Sequence, residues 1–529
     1  MARLISHIPI TARIPILICL LYLFIASVGT NGSIYILDEA KNAECAREML
    51  ESGNYIVPTF NYELRTDKPP LHYFFMMLSY QIFGVSPWSA RLFSLTFGCL
   101  TLISTYFFTK KWLGIKSAWL TSLVLLSSLH YGVFFHMSVP DPYLVLFFTN
   151  SLFLFFEYLQ NKKRIYLIGM YFCLAFGFLT KGPITILLPG LIMLVYLLTS
   201  RNLNIKTITK FKPLLGLLIV LLIGLPWYFL VDRETNGEWS RGFFMEHNIE
   251  RFSTTKEGHG GTFLIAPLFV FFGLFPFSVF LPRAIYFIKR NKEQKVLLFA
   301  LIVGVITTVF FSISSTRMPN YTAPVYPFLA ILLGAFLSTI KKHKIMPELI
   351  VLFMLSILIV IAGYYALHLE NYLTHFKTLL LFLLTGAIGS LIALFLYKRK
   401  RWNTLIPIIG YSFIIVSFSI SYIVFYQIQK ENPVTMSLPI IDKNEPIAYY
   451  KKFNPSYPFY LEKKITPLEN IQNIRDFLEN NPNACVISTK KSLREVDYSQ
   501  FAIKVFEKKD VFENRITVIL KNKRKQIKR

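Results

Sequence analysis

Carboxylates and cations recur in this chain at the edges of long apolar runs, where an ionised group is costly unless paired. Asp38 and Glu39 follow the first run, and Glu63, Asp67 and Lys68 come soon after. Asp141, Lys181, His247 with Arg251, His259, and Arg317 with Tyr321 occupy later edges. Ionisable groups at such depth mark functional sites by default. A carboxylate removes a proton from a hydroxyl or amine. Lysine and arginine stabilise charge that gathers on a phosphate leaving group. The Phe, Leu and Ile around them would hold a lipid tail. These three needs meet in the transfer of a group from a lipid phosphate.

Each candidate also has a purely structural reading. Asp38 could cap a helix, and Lys181 could snorkel toward head groups. Asp141, in "SVPDPY", could close a turn or cap a Pro-flanked helix. His247 and His259 could be ordinary surface residues. What separates the readings is clustering: all of these groups fall on one side of a membrane, which favours a shared polar cavity.

The elements that must position them are membrane spans. Of 529 residues, 54 % are hydrophobic and 16 % charged, and the mean hydropathy is +0.48. A soluble globular chain carries nearer a quarter charged residues. Apolar runs long enough to cross a hydrocarbon core predict about 13 spans, the first read as an uncleaved anchor. They fall roughly at 14–30, 91–109, 117–135, 142–160, 165–180, 183–200, 213–231, 262–281, 296–313, 321–340, 346–367, 378–397 and 403–425.

A formal charge of +26 invites a nucleic-acid reading, but the basic residues alternate with topology. One set of connections holds 24 Lys and Arg against one acid, whereas the opposite set holds 15 acids and 11 bases. The positive-inside rule places the first set in the cytoplasm. No nucleic-acid partner is expected, and the candidates face outward. The five cysteines show no spacing for a disulfide framework or a zinc site.

Residues 33–74 carry seven acids and four bases. Asp38 is expected to cap a helix that runs to Leu50 and stops at Gly53, with Lys41–Glu44 and Arg47–Glu51 pairs along it. "LHYFFMMLSYQIFG" should lie along the membrane interface. From about 431 the composition turns polar. "ACVIST", "FAIKVF" and "RITVIL" read as strands, and "ITPLENIQNIRDFLENNP" as a helix with a threonine cap. The predicted organisation is a membrane domain over 1–428, with outer loops 31–90 and 232–261, then a soluble α/β domain over 429–529.

The opening segment also carries a resemblance. Asp38, Glu39, Ala43, Glu44, Arg47, Glu48, Met49, Gly53, Pro58, Lys68, Pro69, Pro70 and Leu71 match the first outer loop of the polyprenyl-phosphate-dependent glycosyltransferases of the GT-C fold. "FGVSPWSARL", "DPYL" at 141, "TKGP" at 180, "LPWY" at 225, "FFMEHNIERF" at 243 and "YTAPVYPFLAILLG" at 321 follow in the family's order. The chain resembles most the 4-amino-4-deoxy-L-arabinose lipid A transferase group, which is related to the protein O-mannosyltransferases.

The resemblance implies an all-α polytopic membrane protein of GT-C type with a small C-terminal α/β domain in the periplasm. It implies a multi-pass enzyme of the bacterial inner membrane that moves a sugar, with inversion, from a polyprenyl-phosphate carrier to lipid A or another envelope acceptor. Asp38 would be the catalytic carboxylate, with Glu39 beside it and Asp141 a second acid. Lys68, Lys181, Arg251 and Tyr321 would surround the donor phosphate. A divalent metal near the site would take Asp67, His247 or His259 as ligands. Two positions depart from the family pattern: Lys41 stands where relatives often have Arg, and Asp67 where the arabinose transferases typically have Glu. Alternative functions are a protein O-mannosyltransferase-like transfer and a membrane transporter. Against the transporter, the ionisable groups crowd one face, and no repeat or pair of broken helices points to a midplane site.

Overall fold

The computed structural model describes residues 15, 17–20, 22, 28–250, 261–291, 294–369, 371–421, 426–511 and 513–523. Two expected site residues, Arg251 and His259, lie outside the described residues. The chain divides into two compact units, one of 1–30, 66–72 and 91–423, the other of 31–65, 73–90 and 424–529.

The first unit is built of apolar helices. Among the described residues, nine helices are long and apolar enough to cross a membrane, ten if the bent pair Ile265–Gly273 and Phe277–Ile288 is one span. The expectation of about 13 spans differs from this for identifiable reasons. The runs 91–109 and 117–135 form one stretch, Pro87–Ser127, of 41 residues. At 1.5 Å per residue it is about 60 Å long, roughly twice a hydrocarbon core. It breaks at Gly114, whose φ of 82° only glycine adopts without steric cost. The run at 183–200 is the 16-residue helix Ile184–Thr199, with Pro189 inside it. The run at 262–281 bends by 113°, at a break where Pro276 cannot donate a helical N–H. The first run, 14–30, is described only in part.

Small residues let these helices approach closely. A Cβ added at Gly334 would lie 2.7 Å from the Ser117 carbonyl oxygen, so the helices Tyr326–Ser338 and Pro87–Ser127 touch backbone to backbone. The cross-bundle contact is aromatic elsewhere: the Phe108 and Phe153 rings stack with centroids 4.0 Å apart.

In the second unit the acidic helix is Leu37–Ser52. Asp38 is not its cap. Ile36 holds that position with no side-chain bond, and Asp38 and Glu39 sit in the first turn, where the helix dipole favours carboxylates. The helix ends, as expected, at Gly53 in the left-handed region, φ 67°. Glu44 pairs with Arg47 through two bonds of 2.7 Å, and Arg47 also reaches Glu51 at 2.9 Å. The alanine face of the helix, Ala40, Ala43 and Ala46, packs in a core with Tyr73, Met76, Met77, Tyr80 and Phe459. Tyr73 to Tyr80 belong to the helix Leu71–Phe83.

The carboxy-terminal part forms a five-stranded sheet. With β1 (Thr59–Phe60) and β2 (Glu63–Leu64) as a separate hairpin, the strands β3 (Ile447–Tyr450), β4 (Thr466–Leu468), β5 (Cys485–Thr489), β6 (Ala502–Lys509) and β7 (Ile516–Asn522) take the order β4-β3-β5-β7-β6. The helix expected to start at a threonine runs instead over Ile471–Asn480, capped by Asn470, which accepts from the Asn473 N–H at 2.8 Å. Thr466 and Pro467 belong to β4, held by parallel pairing with β3.

The largest departure concerns organisation. Residues 31–65 and 73–90, expected in the membrane domain, group with the carboxy-terminal segment. Specific bonds hold them there. The Ile34 N–H donates to the Tyr460 hydroxyl at 2.6 Å, Asn61 Nδ2 donates to the Ile465 carbonyl at 3.0 Å, and the Ile465 N–H returns a bond to Asn61 Oδ1 at 2.8 Å. A side-chain amide paired to one backbone residue in both directions imitates a strand ladder, which is why a loop of this composition docks so specifically.

Glu48 lies at the centre of this unit, 1 % exposed. Its Oε2 accepts from Thr59 Oγ1 at 2.6 Å and from the Tyr62 N–H at 3.0 Å, which fastens the β1–β2 hairpin to the helix. Burial, with Glu44 nearby, pushes its carboxyl from an ordinary 4.5 up to about 7 against the lowering effect of those two bonds. The folded state therefore binds the proton more tightly than the unfolded one. Stability from this group is full below about pH 4.5 and is lost as pH rises through about 7. Melting followed from pH 5 to 8 should show this fall, and Glu48→Gln, which keeps the shape and removes the charge, should flatten it. An unchanged slope in Glu48→Gln would mean the carboxyl ionises at its ordinary pH.

Candidate active site

A cavity of about 150 Å³ opens in the first unit among residues from six separate stretches. Its polar wall contains Asp67, Lys68, Lys181, His247, Asn248, Ser314 and Tyr321, and its apolar wall includes Leu144, Phe148, Ile184, Leu188, Phe310 and Phe311.

Local structure explains each polar position. Lys181 is the last residue of the helix Arg164–Lys181, where the dipole favours a cation. Gly182 then turns the chain with φ 72°, and a side chain there would strike the Phe243 ring at 2.8 Å. "TKGP" is thus a tight corner that presents one ammonium. Asp141 lies in the first turn of the helix Asp141–Asn161, where a carboxylate is favoured. The Lys181 ammonium donates to Asp141 Oδ1 and lies 5.3 Å from the centroid of the Tyr321 ring. A carboxylate and an aromatic face together fix the direction of the charge. Lys68 is buried just ahead of two prolines. His247 lies in the i→i+5 turn Gly242–Ile249, a distortion often found at functional sites.

Of the expected site residues, Lys68, Lys181, Tyr321, Asp67 and His247 share the cavity, and Asp141 joins through Lys181. Asp38 and Glu39 belong to the second unit. Arg317 serves the fold: its Nε and Nη2 donate to the Ser312 carbonyl at 3.1 and 2.8 Å, which closes the end of the helix Lys295–Ile313. Sequence reasoning missed Asn248, Ser314 and the paired phenylalanines Phe310 and Phe311. The only signal was the doubled aromatic at a span end beside a serine pair.

His247 Nε2 stands 3.3 Å from Asp67 Oδ1. The two form a carboxylate–imidazole pair on the cavity wall. Among the described residues no group of three or more His, Cys, Asp and Glu could hold a metal.

Comparison with known proteins follows the same lines. Residues 67–229 match the family model described as dolichyl-phosphate-mannose-protein mannosyltransferase. An uncharacterized protein of Aquifex aeolicus (strain VF5) is 33 % identical over 308 residues, 58 % of this chain and 68 % of its own length. An undecaprenyl phosphate-alpha-4-amino-4-deoxy-L-arabinose arabinosyl transferase of Shewanella sediminis is 29 % identical over 355 residues, 64 % of this chain and 63 % of that protein. The crystal structure of ArnT from Cupriavidus metallidurans bound to undecaprenyl phosphate superposes with a TM-score of 0.81 at 21 % identity, over 95 % of this chain and 97 % of that one. At that identity the likeness establishes the fold, that of a GT-C membrane glycosyltransferase. Together these similarities support a membrane glycosyltransferase that uses a lipid-phosphate-linked sugar donor, with the 4-amino-4-deoxy-L-arabinose transferases among its relatives.

Proposed function

We propose that this enzyme transfers a sugar, 4-amino-4-deoxy-L-arabinose or a related aminosugar or hexose, from a polyprenyl-phosphate carrier to lipid A or another envelope acceptor. The observation that carries the reading is the cavity itself, in which Lys68 and Lys181 stand at the polar end of a wall of leucine and phenylalanine. A polyprenyl phosphate has the same two halves. The alternation of basic connections supports a site on the periplasmic face of the inner membrane.

In this reaction the acceptor oxygen attacks the anomeric carbon and gives its proton to a carboxylate base, the role that the family resemblance implies for Asp38. The bond from that carbon to the phosphate oxygen breaks, and the electron pair leaves with the phosphate. Lys68 and Lys181 stabilise the charge that grows there, with Arg251 as a third cation. Asp141 and Tyr321 keep the Lys181 ammonium aimed. Attack from the face opposite the phosphate inverts the configuration. A divalent ion on Asp67 and His247 would add positive charge at the same end.

Purified enzyme with undecaprenyl-phosphate-linked aminoarabinose and lipid A, read by mass spectrometry, tests the proposal. The expected product is lipid A heavier by one aminosugar, with its yield lowered by a chelator and restored by a divalent ion. Transfer to an envelope protein instead of lipid A would favour the mannosyltransferase-like alternative. Transfer unaffected by exhaustive chelation would remove the metal.

A further inference from the structure

A second, largely apolar cavity lies in the first unit. It measures about 390 Å³ and opens between the start of the 115–127 segment, the loop at 337–341 and the start of the helix Trp402–Ser419. Lys116 and Lys341 stand at its mouth, and Trp119 and Trp402 line it. Lys116 donates to the Ser338 carbonyl, which places one ammonium on the rim, while Lys341 is exposed.

A smaller cavity of about 70 Å³ also borders Trp119 and is lined by Leu17, Ile18, Leu123, Leu126, Tyr411 and Ile414. The path from Lys116 to Leu126 spans ten residues, or about 15 Å of helix. Its mouth is cationic and its floor apolar.

We propose that this groove is a binding site for an anionic glycerophospholipid, with the phosphate between Lys116 and Lys341 and one acyl chain along Leu123 and Ile414. A free phosphate would use the mouth alone and leave the groove unexplained. Both lysines belong to the strongly basic set of connections, the side that faces the anionic leaflet under the positive-inside rule. Tryptophan and lysine at a span end are also common as unspecific interface anchors. Headgroup selectivity separates the two roles.

Native mass spectrometry of the full-length protein in detergent provides the test, with phosphatidylglycerol and phosphatidylcholine of identical chains as probes. Phosphatidylglycerol is expected to bind at least tenfold more tightly. Lys341→Gln, at an exposed position whose loss leaves the fold intact, should weaken it about fivefold without changing phosphatidylcholine. Lys116→Gln combined with Lys341→Gln should abolish the preference, and Lys181→Ala with Asp141→Asn should preserve it. Quenching of tryptophan fluorescence by brominated-chain phosphatidylglycerol should fall in Trp119→Phe. Equal binding of the two lipids, or a preference that survives the double variant, overturns the proposal. So does competition by inorganic phosphate at millimolar concentration, or by undecaprenyl phosphate at concentrations below those of phosphatidylglycerol.

Discussion

Asp38→Asn should reduce turnover by about 10³-fold or more, within the range expected for loss of a general base, and leave the protein folded. The two effects are separable because of where Asp38 sits. It occupies the first turn of Leu37–Ser52 and is not the helix cap, so the dipole interaction lost with its charge is small, about 0.3–1 kcal/mol. That is too little to unfold a unit whose core includes Ala40, Ala43, Met76 and Phe459. A steady-state assay with lipid donor and acceptor varied separately should find kcat lost and the donor KM within about twofold of wild type. Turnover by Asp38→Asn close to that of the wild type would remove Asp38 from the proton-transfer role.

The second large effect is expected at Lys181. Loss of one cation at a developing oxyanion commonly costs 10²–10³ in rate, so Lys181→Ala should lower kcat/KM for the lipid donor by about 10²-fold or more. The acceptor KM should hardly move. The substitution also strands Asp141, which is 5 % exposed and bonded to that ammonium, and an uncompensated buried charge is strongly destabilising. Lys181→Ala with Asp141→Asn removes the stranded charge and should recover the melting temperature but not the transfer. If the double variant regains activity, the lysine serves only to neutralise the aspartate, and the phosphate is held elsewhere.

Asp67, Lys68, Lys181, His247 and Tyr321 on the cavity wall were readable in the sequence, because polar groups at the ends of apolar runs are few and costly. Their pairing was not. Asp141 and Lys181 are 40 positions apart, and nothing in either stretch names the other. The helix at 37–52 was readable from its glycine stop. Its cap was not, because Asp38 in the first turn and the capping position at Ile36 differ by only two residues of register. The spans were readable as runs of apolar residues, whereas the fracture at Gly114 and the bend before Phe277 depend on single residues inside those runs. The hairpin at 59–64 has no alternating pattern long enough to recognise. It is fastened by Glu48, which accepts from Thr59 in its first strand and from Tyr62 in its turn. The pairing of the first outer segment with the carboxy-terminal sheet rests on contacts such as Ile34 to Tyr460, 426 positions apart. Composition carries no trace of contacts at that range.

That separation has a cost in time. A ribosome adds about 5–20 residues per second, so the roughly 400 residues between Asn61 and Ile465 take on the order of 20–80 s to make. Through that interval the alanine face of Leu37–Ser52 waits without Phe459, and Asn61 without the backbone it will mimic. The unit therefore completes its assembly only at the end of synthesis. Any chain cut short before the carboxy-terminal sheet leaves its most acidic helix half-dressed, an exposed substrate for proteases.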